Sequence, residues 1–292
     1  MQRNVSLIQI IVIKVTNSNT SVPNGKQKGV APPMLRIAIY GKGGIGKSTT
    51  VSNLSAALAQ RGLTIMQIGC DPKADSTLLL MHGQRIDSVL DAMRAHGDPA
   101  LDDVVHKGHA GVLCVEAGGP TPGTGCAGRG IITAFEQLDE LNAYGVYRPD
   151  VVLYDVLGDV VCGGFSLPLR GEHSDIVFVV TSGEMMAMYA ASNIASAVER
   201  FKTRDYAQFG GLILNKRNVE NEDELVEQLA RELNTEVVGT IPRSSDIHEC
   251  EQRQCTVIEG APDSAVAHAY ETLVDAMLAK AAALGLGEVG SR

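Results

Sequence analysis

Residues 41–49 of the chain read Gly41-Lys42-Gly43-Gly44-Ile45-Gly46-Lys47-Ser48-Thr49, and this stretch decides the fold. It fits the phosphate-binding loop pattern G-x-x-x-x-G-K-[ST]. Apolar spacing predicts a strand before it, over residues 35–40, and a helix after it, over residues 49–60. The backbone amides of such a loop and the positive end of the helix bind phosphate oxygens. We therefore expect Lys47 to reach the β- and γ-phosphates and the Ser48 hydroxyl to ligate Mg²⁺.

Strand and helix patterns alternate through the rest of the chain. Further strands are predicted at residues 64–69, 111–116, 151–154, 176–181, 210–214 and 237–241, and helices at 131–141, 184–201, 222–233 and 264–283. Residues 82–110 are interpreted as a polar, helical connection. The methionines near residue 185 are interpreted as core or interface packing rather than a cofactor site. Alternation of this kind predicts an α/β, doubly wound, mostly parallel sheet in one P-loop domain.

Composition limits the class of protein and its partners. The 292 residues include 45% apolar and only 4% aromatic residues, which favours aliphatic parallel strands. The 25 basic residues against 34 acidic ones give a net charge of −9, which disfavours nucleic-acid binding. The sequence contains no run of about 18 apolar residues, so no membrane span is predicted. Residues 1–33 are interpreted as a disordered extension or a start-site artefact rather than a signal peptide, 34–284 as the ATPase domain, and 285–292 as a flexible tail.

Carboxylates follow two of the predicted strands. Asp71 and Asp75 lie in Cys70-Asp71-Pro72-Lys73-Ala74-Asp75-Ser76-Thr77, where they either address Mg²⁺ and its waters or form a turn and a helix cap. Asp155 ends an apolar strand downstream of the phosphate loop, which is the Walker-B arrangement beside Mg²⁺.

Two of the six cysteines lie in glycine-rich loops. A disulfide framework is disfavoured in a chain of this size and type, and no C-x₂-C pair indicates zinc. Cys126 precedes a predicted helix, whose positive end favours a thiolate, and Cys162 follows Asp155 by seven residues. Cys114 is expected in the core, Cys70 is either buried or reactive, and no site is assigned to Cys250 and Cys255. Because an iron–sulfur cluster needs four thiolates, Cys126 and Cys162 would supply one only across the two-fold axis of a homodimer.

At this point several motifs together resemble one family. The stretches G-K-G-G-I-G-K-S-T, G-C-D-P-K-A-D-S-T, G-G-P-T-P-G-T-G-C-A-G-R-G, Y-D-V-L-G-D-V-V-C-G-G-F and S-G-E-M-M-A-M-Y-A are similar to those of nitrogenase iron proteins over about residues 34–270. The early lysine of the deviant phosphate loop, Lys42, is shared with Min-type, Par-type and arsenical-pump ATPases. The stretches M-Q-I-G-C-D-P-K and V-E-A-G-G-P are more similar to the ATPase subunit of dark-operative protochlorophyllide reductase, whereas C-A-G-R-G and S-G-E-M-M-A-M-Y-A are more similar to nitrogenase. That mixture, with a short tail, suggests a paralogue serving protochlorophyllide, nickel-tetrapyrrole or methylthio-alkane reduction.

The resemblance implies roles for single residues. Cys126 and Cys162 would ligate a 4Fe–4S cluster shared by two subunits, and Lys42 would reach the nucleotide of the partner subunit. Lys47, Ser48 and Thr49 would hold MgATP. Asp71 and Asp75 would belong to the first switch, and Asp155 and Asp159 to the second, with Asp159 positioning water. The residues implied around adenine are Asn215, Pro242 and Arg243. Arg129 would lie on a docking surface that some relatives modify by ADP-ribosylation.

The implied activity is ATP-coupled transfer of single electrons from ferredoxin or flavodoxin to a nitrogenase-like catalytic partner, in the cytoplasm. Two alternatives come from other classes. A Par- or Min-type positioning ATPase would need a basic DNA-binding face or membrane helix, and the acidic chain offers neither. A carrier that hands clusters to other proteins would be expected to present a close C-x-x-C pair, which this sequence lacks.

Overall fold

The structure, a computed structural model, describes residues 34–120, 127–158, 173–201, 207–286 and 289. The strands within them are β1 Leu35–Gly41, β2 Ile65–Gly69, β3 His106–Lys107, β4 Leu113–Glu116, β5 Val151–Asp155, β6 Ile176–Thr181, β7 Gln208–Asn215 and β8 Val237–Ile241. The helices are α1 Lys47–Gln60, α2 Val89–His96, α3 Leu101–Val104, α4 Ala127–Glu140, α5 Ala143–Tyr147, α6 Met185–Phe201, α7 Glu222–Glu232, α8 Ser245–Gln252, α9 Val257–Gly260 and α10 Ala265–Ala283, with a 3₁₀ turn at His109–Gly111.

All strands join one sheet in the order β3-β4-β2-β5-β1-β6-β7-β8. Every pairing is parallel except that of β3 with β4. The phosphate-loop strand β1 therefore lies in the middle, between β5 and β6. Because parallel strands all end at the same edge, the loops after β1, β2, β4 and β5 converge on one region.

The two faces of the sheet carry separate apolar cores. Along β1, Leu35, Ile37 and Ile39 belong to one buried cluster, whereas Ala38 and Tyr40 belong to the other. This alternation follows from the two-residue side-chain period of a strand. Helices α1, α9 and α10 contribute to the first cluster, and α2, α4, α6 and α7 to the second. Helices cover both faces, and the α/β doubly wound prediction is confirmed.

Most predicted elements agree with the structure to within a few residues. The strand at 176–181 and the strand at 237–241 have the predicted bounds. Helix α4 begins four residues earlier than the apolar stripe indicated, at Ala127. Short α5, α8 and α9 were not predicted, because segments of four to eight residues show too little periodicity.

Two interpretations need correction. The connection over residues 82–110 is not helical throughout, since it also contains β3, which pairs antiparallel with β4. The core half of the methionine interpretation is wrong for Met185 and Met186, because 74% and 54% of their surfaces are exposed, whereas Met188 packs against the core. Interface packing of the two exposed methionines stays a prediction. Within the residues described here, no helix combines the length and apolar character needed to cross a membrane.

Candidate functional site

The carboxyl ends of four neighbouring strands bring the candidate site together. In the sheet register, Asp155 at the end of β5 lies beside Ile39 of β1 and Gly69 of β2, and Gly69 in turn lies beside Glu116 of β4. Two buried carboxyl groups, Asp155 and Glu116, are thus placed within two strands of each other, next to the phosphate loop.

The phosphate loop has the backbone shape that its glycines permit. Gly46 adopts a φ of +96°, and a Cβ there would lie 2.6 Å from Asn215 Nδ2. Helix α1 begins at the next residue, Lys47, whose side chain is largely buried and donates from Nζ to the Lys42 carbonyl at 3.2 Å. The Lys47 ammonium group therefore lies beside the loop whose backbone amides would bind phosphate, and this region fits a triphosphate.

Asp155 is a buried carboxyl group that can ligate a cation. Burial raises its pKa above the ordinary value, hydrogen bonds with Ser48 and Ser76 and the charge of Lys47 oppose that rise, and the charge of Asp75 adds to it. A divalent cation would favour the ionised form of a carboxyl group in such surroundings. The Ser48 hydroxyl and Asp155 therefore offer the oxygen ligands that Mg²⁺ prefers.

A buried polar network ties the loop after β2 to helix α1. Ser52 Oγ donates to the Ser76 carbonyl at 3.0 Å, and Gln67 Nε2 donates to the same carbonyl and to Ser76 Oγ, both at 3.0 Å. Ser55 Oγ donates to Gln67 Oε1 at 2.8 Å. These bonds hold Ser76 in place beside Asp155.

Asp71 and Asp75 lie half-buried in that same loop. Asp71 Oδ1 accepts from the Lys73 amide at 2.9 Å, and its carbonyl accepts from the Ala74 amide at 3.0 Å, so Asp71 lies in a turn, and its role beside Mg²⁺ stays a prediction. No helix among the described residues begins at Asp75, and the cap reading of that residue is wrong. Asp75 instead lies near enough to Asp155 and Glu116 to raise the pKa of each.

Glu116 was not singled out from the sequence. Its side chain is wholly buried, and Oε1 accepts from the Thr77 amide at 2.8 Å and from Thr77 Oγ1 at 2.7 Å, while Oε2 has no hydrogen-bond partner among the described residues. Burial raises its pKa to about 7 against the opposing Thr77 bonds. A charged residue between an apolar strand and Ala-Gly-Gly was the one signal in the sequence that could have identified it.

A cavity of ≈ 230 Å³ adjoins the phosphate loop. The predicted adenine residues Asn215, Pro242 and Arg243 all line it, and Asn215 Nδ2 donates to the Ile45 carbonyl at 2.7 Å. The remaining lining residues are Gly46, Thr49, Lys216, Arg217, Ser244, Ile247, His248, Glu251 and Tyr270. Several come from α8, which the sequence reading missed, so their part in the cavity was missed as well.

The segment after β5 touches the phosphate loop directly. A Cβ on Gly158 would lie 2.6 Å from the Gly41 carbonyl oxygen and 2.6 Å from the Gly43 amide nitrogen. Only glycine permits this backbone-to-backbone approach. Asp159 and Cys162, which follow in the sequence, lie outside the described residues.

Cys126 also lies outside the described residues, directly before the start of α4 at Ala127. Arg129, in the first turn of that helix, is exposed. The four described cysteines are buried free thiols: Cys70, Cys114, Cys250 and Cys255. Burial raises the pKa of Cys70 well above its ordinary value and that of Cys114 to about 12. Neutral thiols of this kind do not suit a cluster, which needs thiolates.

Comparison with known families gives a match over residues 35–285, to the 4Fe-4S iron sulfur cluster binding proteins of the NifH/frxC family. The chain is 51% identical over 249 residues to the nitrogenase iron protein of Methanospirillum hungatei, covering 84% of this chain and 88% of that protein. It is 48% identical over 246 residues to the nitrogenase iron protein of Methanococcus voltae, with the same coverage.

Solved structures with the same fold are more distant in sequence. The cell division ATPase MinD of Pyrococcus furiosus superposes with a TM-score of 0.65 at 19% identity, over 83% of this chain and 98% of that one. A ParA-family ATPase of Chlorobium tepidum gives 0.63 at 18% identity, over 84% and 98%. At this level of identity the likeness concerns the fold alone.

Proposed function

The chain belongs to the NifH/frxC family of 4Fe-4S proteins, and from this membership we propose that it is the ATP-dependent reductase component of a nitrogenase or nitrogenase-like system. Proteins of this family bind a 4Fe–4S cluster and MgATP and act as ATP-hydrolysing oxidoreductase components. The likeness to MinD and ParA extends to the P-loop fold, and we do not propose a positioning function from it.

In the nucleotide half of the site, each group has a defined task. Backbone amides of the loop and the Lys47 ammonium would bind the phosphate oxygens, and Ser48 and Asp155 would supply oxygen ligands to Mg²⁺. Asn215, Pro242 and Arg243 enclose the base in the cavity that they line. Asp71 and Asp75 orient waters around the metal, and Asp159 orients the attacking water, so that ATP and water yield ADP and phosphate.

In the other half, Cys126 and Cys162 of two subunits would hold one 4Fe–4S cluster in a homodimer. When bound, the cluster would take up and release one electron at a time. Support comes from the family membership, from the start of α4 immediately after Cys126, and from the four described cysteines, whose burial suits core packing instead.

A single observation carries the coupling between the two halves. The backbone at Gly158 lies against the backbone at Gly41 and Gly43, so a change in the phosphate loop acts directly on the segment that leads to Cys162. Only three residues separate Gly158 from Cys162 in the sequence. Hydrolysis of ATP can therefore move Cys162 through this main-chain contact. In switches of this kind, a segment beside the nucleotide changes its order when the γ-phosphate is lost.

The remaining partners follow from the same proposal. Reduced ferredoxin or flavodoxin supplies the electron, and the nitrogenase-like catalytic subunit receives it at a surface that includes the exposed Arg129. Lys42 reaches the nucleotide of the partner subunit. We expect the protein to act in the cytoplasm, where MgATP and these donors are available.

The test is made on protein purified without oxygen. Iron and sulfide content, ultraviolet–visible absorption and EPR of the reduced form are measured with the oligomeric state, before and after addition of MgATP. The proposal predicts one cluster per dimer and an EPR signal that changes with MgATP. Cys126→Ser and Cys162→Ser should each lose the cluster and electron delivery to a catalytic partner.

Cys255→Ser is the matched control, because it removes a buried thiol that does not line the nucleotide cavity. It should keep the cluster and the activity. A colourless, iron-free monomer, or a Cys162→Ser protein with a normal cluster, would refute the assignment of the ligands and leave an ordinary ATPase.

A further inference from the structure

Two histidines and a glutamate meet away from the nucleotide site. We propose that His82, His109 and Glu259 bind a divalent transition-metal ion of the zinc type. His109 Nδ1 lies 3.2 Å from Glu259 Oε2, and His82 Nδ1 lies 3.8 Å from Glu259 Oε1. One candidate ligand atom from each residue lies within 4.8 Å of the other two. The three residues, called the histidine–glutamate cluster below, come from segments far apart in the sequence.

The spacing agrees with what a metal would require. In a tetrahedral zinc site with bonds of about 2.1 Å, neighbouring ligand atoms are about 3.4 Å apart. The two nitrogen-to-oxygen separations here, 3.2 Å and 3.8 Å, lie on either side of that value. The imidazole rings are nearly perpendicular, at 86°, with centroids 6.1 Å apart, so both rings can direct an edge toward a common point.

The backbone fixes both histidines. His82 has a φ of +50°, in the left-handed region, and sits in a turn closed by the Gly83 amide donating to the Leu78 carbonyl at 2.8 Å. The His109 amide donates to the Leu80 carbonyl at 2.8 Å, so the two histidine segments are tied directly to each other. Left-handed backbone at a residue other than glycine is a strained arrangement, and such strain concentrates at functional sites.

The third residue of the cluster, Glu259, is positioned by another element of the fold. Glu259 lies in α9, whose first turn is capped by Thr256, with the Glu259 amide donating to Thr256 Oγ1 at 3.2 Å. The Val257 amide of the same helix donates to Asn53 Oδ1 of α1 at 2.7 Å. The carboxylate is therefore carried by an element anchored to the helix of the phosphate loop.

A simple ion pair does not account for the arrangement. One histidine would suffice for that, and two protonated rings at one carboxylate would repel each other. Glu259 Oε2 and His109 Nε2 are both buried atoms without a hydrogen-bond partner among the described residues. A metal at the Nδ1 side would satisfy the carboxylate oxygen, as buried polar atoms require.

The donor set selects the class of ion. Mg²⁺ and Ca²⁺ take oxygen ligands, whereas imidazole nitrogens suit zinc, copper and nickel. Three protein ligands leave one coordination position, and the 56% exposure of the His82 side chain leaves room for water there. Binding would join the turn after the Asp75 loop to α9, and would therefore stabilise the fold.

Zinc chloride is the probe for the test. Zinc is titrated into the full-length, anaerobically prepared protein by equilibrium dialysis with elemental analysis. The expected result is one zinc per chain at micromolar concentration, beyond the iron of the cluster. Diffraction data collected on both sides of the zinc absorption edge should place the ion between the three side chains.

Variants separate this site from adventitious binding. His109→Ala and Glu259→Gln should each weaken zinc binding at least about tenfold, since loss of even an outer-shell partner costs about 10- to 100-fold. His268→Ala is the matched control, because His268 faces a single carboxylate, Glu271, at 3.4 Å, and it should bind zinc as the wild type does.

Folding of each variant is checked by circular dichroism and by the melting temperature without zinc. If Glu259→Gln does not fold, the test is repeated with His82→Asn, at the exposed side of the cluster. Zinc should raise the melting temperature of the wild type and not that of these variants. An unchanged zinc affinity in the variants would show an adventitious ion only and overturn the proposal. Absence of binding at micromolar zinc would overturn it as well. A Cys162→Ser protein should still bind zinc, so this result is independent of the cluster assignment.

Discussion

Replacement of Glu116 by glutamine tests the electrostatics of the site most directly. Burial raises the pKa of this carboxyl from the ordinary 4.5 to about 7. Glutamine has the same shape, its oxygen can accept both Thr77 bonds, and its amide replaces the oxygen that has no partner. The substitution therefore removes the cost of burying a charge, and it leaves a buried amide without a partner among the described residues, a cost that does not change with pH.

The sign of the effect follows from proton binding. Between pH 4.5 and about 7 the folded chain keeps the Glu116 proton that the unfolded chain has lost, so the free energy of unfolding of the wild type falls as the pH rises. Above about pH 7 both states have lost it, and the fall ends. At about 1.4 kcal/mol per pH unit, the full effect is about 3 kcal/mol. The stability of Glu116→Gln relative to the wild type should thus rise by about 2 kcal/mol between about pH 5.5 and about pH 8.

The assay is urea unfolding followed by far-ultraviolet circular dichroism, without oxygen, nucleotide or magnesium, at several pH values. The quantity compared is the difference in free energy of unfolding between variant and wild type, since other titrating groups cancel in it. Glu136→Gln, at an exposed position in the interior of α4, is the control and should give a difference near zero at every pH. A Glu116→Gln difference that stays constant with pH, or that falls as the pH rises, would refute the reasoning.

Three further predictions follow from contacts near the phosphate loop. Gly46→Ala should abolish nucleotide binding, measured by calorimetry, because a Cβ would lie 2.6 Å from Asn215 Nδ2 at a φ of +96°; tight binding by a folded variant would contradict this. Lys47→Gln should lower the ATP hydrolysis rate at least about 100-fold, the typical loss when one stabilising donor is removed, and a rate within tenfold of wild type would contradict the role of Lys47. Asn53→Ala leaves the buried Val257 amide without its 2.7 Å partner and should lower the free energy of unfolding by about 1–3 kcal/mol, which an unchanged melting temperature would exclude.

The sequence was sufficient for those parts of the molecule that depend on local pattern. Glycine spacing identified the phosphate loop, and strand-terminal Asp155 could be placed beside it because parallel strands end at one edge. Contacts between distant segments could not be predicted. Glu251 reaches Thr49 across 202 residues, with a 2.9 Å bond, from a helix too short to show periodicity.

Exposure and burial of single side chains were also beyond the sequence. The same apolar pattern places Met188 of α6 against the core, whereas Met185 of the same helix is 74% exposed. Which methionines are covered depends on where the helix enters the sheet, and periodicity gives that only to within a residue or two. The wholly buried position of Glu116 depends in the same way on how three loops meet.

The polar contacts of α1 have a consequence for how the molecule can respond to ATP. Ser55 holds this helix to β2 through Gln67, Ser52 holds it to the loop at Ser76, and Asn53 holds it to α9. Turning the helix by a few tens of degrees would break all of these bonds inside the protein, at about 1–3 kcal/mol for each buried group left unpaired. The helix therefore behaves as a fixed support, and the free energy of nucleotide binding is directed into the loops at its two sides.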